Sequence, residues 1–69
     1  MNNGFGVGTL RKNIRPGICV KIVLKADQKS GRLTEGDVQN ILTNSAYHSR
    51  GIKVRLTDGK VGRVQQILD

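Results

Sequence analysis

The sequence predicts an all-β fold, a small SH3-like antiparallel barrel built from two similar hairpins. Three observations lead there. Ile18, Val20, Ile22 and Leu24 alternate with Cys19, Lys21, Val23 and Lys25, and Ile52, Val54 and Leu56 alternate with Lys53 and Arg55. A period of two in β-branched residues marks a strand with one face buried. Asp58-Gly59 stands between two strand patterns, a strong short-range hairpin signal that suggests a type I′ turn. Finally, the chain echoes itself: Gly17-Ile18-Cys19-Val20-Lys21-Ile22 parallels Gly51-Ile52-Lys53-Val54-Arg55-Leu56, and Gly36-Asp37-Val38-Gln39-Asn40-Ile41-Leu42 parallels Gly62-Arg63-Val64-Gln65-Gln66-Ile67-Leu68.

The elements follow in order. Residues 1–13 carry Gly4, Gly6 and Gly8 and turn basic at Arg11-Lys12; they read as a flexible N-terminal tail. A phosphate-cradling role for these glycines needs a strand before and a helix after, and a flexible tail is the expected reading instead. Residues 14–69 form the single folded domain, entered through the turn signal Arg15-Pro16-Gly17. Strand 18–25 leads into a polar loop, Asp27-Gln28-Lys29-Ser30-Gly31-Arg32, that ends at Leu33.

The stretch around 34–43 allows two readings. Val38, Ile41 and Leu42 have helical spacing and Thr34 can cap, which would make the fold α+β with one short helix. Gly36 and the short length oppose a helix. The echo favours a strand, because its second copy follows a hairpin turn, and Val-x-x-Ile then reads as a strand that carries a bulge or ends in a tight turn. A second polar loop, 44–50, precedes strand 52–56, the turn at 57–60 and a last element with Val61, Val64, Ile67 and Leu68. The expected core is Ile18, Val20, Ile22, Leu24, Leu33, Val38, Ile41, Ile52, Val54, Leu56, Val61, Val64 and Ile67.

The inventory limits the chemistry. Of 69 residues, 36% are hydrophobic and 3% aromatic, so the core is small and aliphatic. Cys19 and His48, each single, cannot complete a structural zinc site, and no metal or cofactor is expected. Cys19 reads as an inert strand thiol. No apolar run reaches the length of a membrane span and residues 1–10 lack a signal-peptide core, so a cytoplasmic protein without membrane contact is expected. His48-Ser49 lacks a third group and an oxyanion hole, so no catalytic residue is assigned and no enzyme is expected.

Segment 14–68 carries Ile14-Arg15-Pro16-Gly17, Val20-Lys21-Ile22-Val23-Leu24-Lys25, Gly31-x-Leu33-Thr34-x-Gly36-x-Val38 and His48-Ser49-Arg50-Gly51-Ile52-Lys53-Val54-Arg55-Leu56, then Asp58-Gly59 and Val61-Gly62-Arg63-Val64. In these residues it resembles the YwbE-like family of small bacterial proteins of unknown function. That resemblance implies no chemistry. Residues 17–41 are also similar, more remotely, to KOW-type motifs, which implies an SH3-like barrel that binds RNA or protein.

Charge carries the functional expectation. Lys and Arg number 12 against 5 Asp and Glu, a formal net charge of +7. Lys21, Lys25, Lys53 and Arg55 project from the apolar strands, while Arg32, Arg50, Lys60 and Arg63 lie in or beside loops. Such a surface neutralises phosphates and releases counterions. With Tyr47 as the one ring of the domain, base stacking is scarce; Tyr47 and His48 offer a single stacking contact, or Tyr47 plugs the barrel mouth. The expected function is a small nucleic-acid-binding module, RNA before DNA and structured or ribosomal RNA included, with little sequence reading. The candidate contacts are Lys21, Lys25, Arg32, Tyr47, His48, Arg50, Lys53, Arg55, Lys60 and Arg63. The alternative is an SH3-like adaptor for an acidic protein partner.

Overall fold

The computed structural model describes residues 7–68. The expected first strand forms as β1 (Cys19–Leu24) and the ambiguous stretch as β2 (Thr34–Ile41); β3 (Lys53–Leu56) and β4 (Val61–Ile67) complete the set. The helix considered around 34–43 does not form. All pairings are antiparallel, and β4 returns to β1, so the four strands close a barrel. The fold is all-β, consistent with a small SH3-like barrel, and closure leaves no open sheet edge.

Alternation along each strand sends one set of side chains inward. Val20, Ile22, Val38, Ile52, Val54, Leu56 and Val64 are all but fully buried, and Ile14 and Ile18 join them. Each such side chain contributes roughly 1.5–3 kcal/mol of apolar burial. Leu24, Ile41 and Ile67 pack partly buried against this cluster. Two expected core members sit elsewhere. Leu33 is 37% exposed in the loop after β1. Val61 is half-buried and faces outward because the inward position beside it belongs to Gly62. A Cβ at Gly62 would stand 2.4 Å from the Val23 carbonyl oxygen and 3.0 Å from Ile22 Cδ1.

The sequence echo is an echo in pairing. Within each copy, the Val38 amide donates to Ile18 O and the Val64 amide donates to Ile52 O, both at 2.9 Å. Between copies, the Leu42 amide donates to Lys53 O (2.8 Å) and the Leu68 amide to Cys19 O (2.9 Å), a reciprocal exchange. Val38 faces Leu56 as Val64 faces Ile22, and Ile41 faces Val54 as Ile67 faces Val20. Each of these ladders slips by one residue at the Gln after the Val: Gln39 in β2 and Gln65 in β4 are left unpaired. These are the bulges read from Val-x-x-Ile, and they keep both the Val and the Ile facing inward.

Two local expectations change. The 57–60 turn is not type I′, which needs positive φ at both central residues; Gly59 has φ +95°, but no described residue other than glycine has positive φ. The Gly59 amide donates to Leu56 O (2.9 Å) and the Leu56 amide to Lys60 O (2.7 Å). This is a three-residue loop with glycine at its left-handed position. Residues 7–13, read as part of the tail, are held to the barrel as two short 3-10 turns, Val7–Thr9 and Arg11–Asn13. The Ile52 amide donates to Gly8 O, the His48 amide to Thr9 O and the Arg11 amide to Ala46 O, each at 2.9 Å. The backbone of 46–52 thus finds partners that composition does not reveal. Residues 1–6, the rest of the expected tail, lie outside the described residues.

Glycines at equivalent places in the echo make a direct test. Gly17 (φ +97°) has open space where a Cβ would go; Gly51 (φ +104°) has the Val64 carbonyl oxygen 2.3 Å away. Gly17→Ala is expected to cost about 1–2 kcal/mol, the left-handed penalty alone. Gly51→Ala is expected to cost about 3 kcal/mol or more. Urea unfolding of both variants checks this, and equal losses would show that turn 48–51 is not pressed onto β4.

Candidate functional site

Where β1 meets β4 on the outside of the barrel, the loop after β1 overhangs the strands and leaves a groove of two adjoining hollows. One, of about 440 Å³, is lined by Lys25, Lys53 and Arg63 together with Val61 and Gly62. The other, of about 310 Å³, is lined by Leu33, Gly31, Arg50 and Gln65. Val23, Gln28 and Arg63 border both. Both volumes fall in the range of small-ligand sites. Among the described residues neither hollow is lined by a carboxylate.

Each cation arrives by a different route. Lys53 and Arg63 face each other across the β3–β4 ladder, so antiparallel register sets them side by side. Lys25 opens the 3-10 turn Lys25–Asp27 that follows β1. Arg50 lies in the turn before β3, where the Gly51 amide donates to His48 O at 3.0 Å. That turn is clamped to β4. Arg63 Nη1 donates to Gly51 O (3.1 Å), and Gln65 Nε2 donates to Arg50 O (3.0 Å) and Arg63 O (3.3 Å). The bulge at Gln65 aims its amide at this turn. Arg63 and Gln65 are therefore held in place before any ligand arrives, whereas the ammonium groups of Lys25 and Lys53 are on exposed side chains.

The other expected contacts do not line the groove. Lys21 points outward from β1, between Glu35 of β2 and Gln66 of β4. Arg55 points outward from β3, opposite Asn40 and Val61. Arg32 is exposed beyond Ser30, whose hydroxyl accepts its amide at 3.2 Å. Tyr47 is 57% exposed and bridges to Leu10, so it does not plug the barrel. His48 accepts the Arg50 amide at Nδ1 (3.1 Å), which ties that nitrogen to the local turn. Lys60 is paired at the hairpin tip, its Nζ 2.8 Å from Asp58 Oδ2. Of the ten candidates the structure gathers four: Lys25, Arg50, Lys53 and Arg63. Sequence reasoning missed Gln28, Gln65 and Leu33 as groove residues. The repeated Val-Gln-x-Ile was the available signal for Gln65.

Among the described residues no cluster of His, Cys, Asp and Glu that could hold a metal ion is present, and no helix is long and apolar enough to cross a membrane. Cys19 is half-buried, with its thiol 3.7 Å from Glu35 Oε2.

The fold and groove define a class: a small closed β-barrel with an outer groove lined by four of its cations. Residues 7–67 match the family described as "Uncharacterized conserved protein (DUF2196)", and the chain belongs to that family. It is 59% identical over 61 residues to "Uncharacterized protein YwbE" of Bacillus subtilis (strain 168), covering 88% of this chain and 94% of that relative. No solved structure shows a significant match.

The hairpin tip yields a prediction independent of function. The Lys60 side-chain and backbone donors hold the Asp58 carboxyl below the ordinary carboxylate range. Its small contribution to stability is thus complete above the unfolded pKa and lost as pH falls through the lower folded one. NMR titration is expected to find Asp58 ionising below the ordinary carboxylate range, and Lys60→Ala to raise it toward the ordinary value.

Proposed function

We propose that this domain is a nucleic-acid-binding module acting in the cytoplasm, with RNA as the preferred ligand, and that it seats backbone phosphates along the β1–β4 groove. The observation that carries this reading is the convergence of Lys25, Arg50, Lys53 and Arg63 on one groove without a carboxylate in its lining. Cations gathered in a concave surface focus the field and draw in a polyanion. A net charge of +7 adds long-range attraction. The similarity of 17–41 to KOW-type motifs favours RNA over DNA.

The division of labour among the cations suits phosphate contacts. Arg63 is fixed by its bond to Gly51 O and offers a planar fork for phosphate oxygens. Lys25 and Lys53 are flexible point charges that tolerate variation in phosphate position. Binding should follow shape and charge more than sequence, because phosphate contacts position a ligand without reading bases.

Fluorescence anisotropy with labelled hairpin RNA, single-stranded RNA and duplex DNA tests the proposal. If about four phosphates are engaged, log K falls against log salt with a slope of about −3 to −4. Lys25→Glu with Lys53→Glu is expected to weaken binding at least about thirtyfold, because two charge-assisted hydrogen bonds to phosphate can no longer form. Lys60→Glu should change it less than about twofold, its partner being Asp58. Salt-independent binding, or equal losses in both variants, would overturn the groove as the site. Displacement of RNA by a poly-glutamate peptide at equal charge would instead support an acidic protein partner.

A further inference from the structure

The two hollows differ in chemistry, and the difference specifies more than a phosphate track. The larger one is bordered by the charged groups Lys25, Lys53 and Arg63. The smaller one has an apolar floor of Val23 and Leu33, amides from Gln28 and Gln65, and Arg50 at its side. A phosphate needs the first environment. A nucleobase needs the second: apolar contact for its face, a guanidinium plane to stack on and an amide for its edge.

Resting on the RNA-binding reading above, we propose that the groove holds a single unpaired nucleotide of an RNA, phosphate in the larger hollow and base in the smaller. Three observations support the base hollow. Leu33 stays 37% exposed beside the groove, an aliphatic platform that the core does not claim. Gly31, with φ +75° and nothing near its missing Cβ, leaves the space beside that platform unfilled. Gln65 has its Nε2 committed to the carbonyl oxygens of Arg50 and Arg63, so Oε1 is a preoriented acceptor. Every base has an N–H donor on its Watson–Crick edge: N3–H of uracil, N1–H of guanine, the amino groups of adenine and cytosine. In a paired base that donor is already used. A fixed acceptor here distinguishes unpaired from paired without distinguishing one base from another.

The internal echo says that there is one such site. Arg63 corresponds to Asp37, Lys53 to Cys19 and Val61 to Glu35, so the equivalent β1–β2 pairing carries a carboxylate opposite a thiol where β3–β4 sets two cations side by side.

Three RNAs test the proposal by anisotropy with the full chain: a hairpin with one unpaired nucleotide in its stem, the same hairpin fully paired, and the bulged hairpin with an abasic residue at the bulge. The bulged RNA is expected to bind about tenfold tighter than either control, the difference that one base contact makes. Leu33→Ser, at an exposed position, is expected to bring the bulged RNA to the affinity of the paired one and to leave the paired one unchanged. An unaltered thermal midpoint would show the variant folded. Equal binding of bulged and abasic RNA, with no effect of Leu33→Ser, would overturn the base hollow while leaving phosphate binding in place. Failure of all three RNAs to bind at low salt would overturn RNA binding itself.

Discussion

Where β4 passes β1, any residue but glycine at position 62 would bring a Cβ to 2.4 Å from the Val23 carbonyl oxygen. This approach closes the barrel, and much else depends on it. β4 pairs with β1 on one side and β3 on the other, so it joins the first copy of the echo to the second. Its outward residues, Arg63 and Gln65, tie down the turn that carries Arg50. Its inward residue Val64 fills the core, and the Val64 carbonyl oxygen lies where a Cβ of Gly8 or Gly51 would need to be. Close packing of backbone on backbone at Gly8, Gly51 and Gly62 replaces the aromatic bulk that this chain lacks. The arrangement fixes the groove as firmly as it fixes the core.

The duplication is kept inside and broken outside. Ile18, Val20, Ile22 and Val38 match Ile52, Val54, Leu56 and Val64 in identity or in kind, and all eight are buried. A closed barrel packs its interior to a fixed volume, so inward positions tolerate little divergence. Outward positions meet water and carry no such constraint. There Cys19, Glu35 and Asp37 stand where the second copy has Lys53, Val61 and Arg63. The outward charges therefore differ between the copies, with the Lys53–Arg63 pair in one and Cys19 opposite Asp37 in the other.

The fold was legible because it rests on inward alternation, which a sequence displays directly: Val20 and Ile22 against Lys21 and Val23, Val54 and Leu56 against Lys53 and Arg55. Even the bulges at Gln39 and Gln65 showed, as Val-x-x-Ile where strict alternation would put one of the pair outside. Illegible features needed contacts distant in sequence. Ile14 looks like part of a turn until the segment before it folds onto the 46–52 backbone. Val61 looks like core until register turns it outward, and Leu33 until the loop after β1 leaves it exposed. The turn at Asp58-Gly59 was placed correctly and typed wrongly, since the same dipeptide serves a two-residue loop and a three-residue loop with a bulge. The groove was half visible. Lys53 and Arg63 follow from hairpin register, but Lys25 and Arg50 join them only through how two loops lie, and no periodicity encodes that.

The groove combines rigid and mobile parts, and this decides what kind of recognition it can perform. Arg63 and Gln65 project from a paired strand and are held by hydrogen bonds to backbone carbonyls, so little conformational entropy remains to be lost when they meet a ligand. Lys25 and Lys53 have exposed side chains and each loses rotamer freedom on contact. The fixed pair therefore defines an orientation at the join of the two hollows, and the lysines add charge around it without demanding one geometry. A site built this way suits the proposed recognition of a local arrangement, one phosphate next to one accessible base, rather than of a sequence. That follows from aliphatic and amide groups taking the place of aromatic rings: without stacking platforms for successive bases, the proposed binding rests on charge along a polyanion and on the edge of one base.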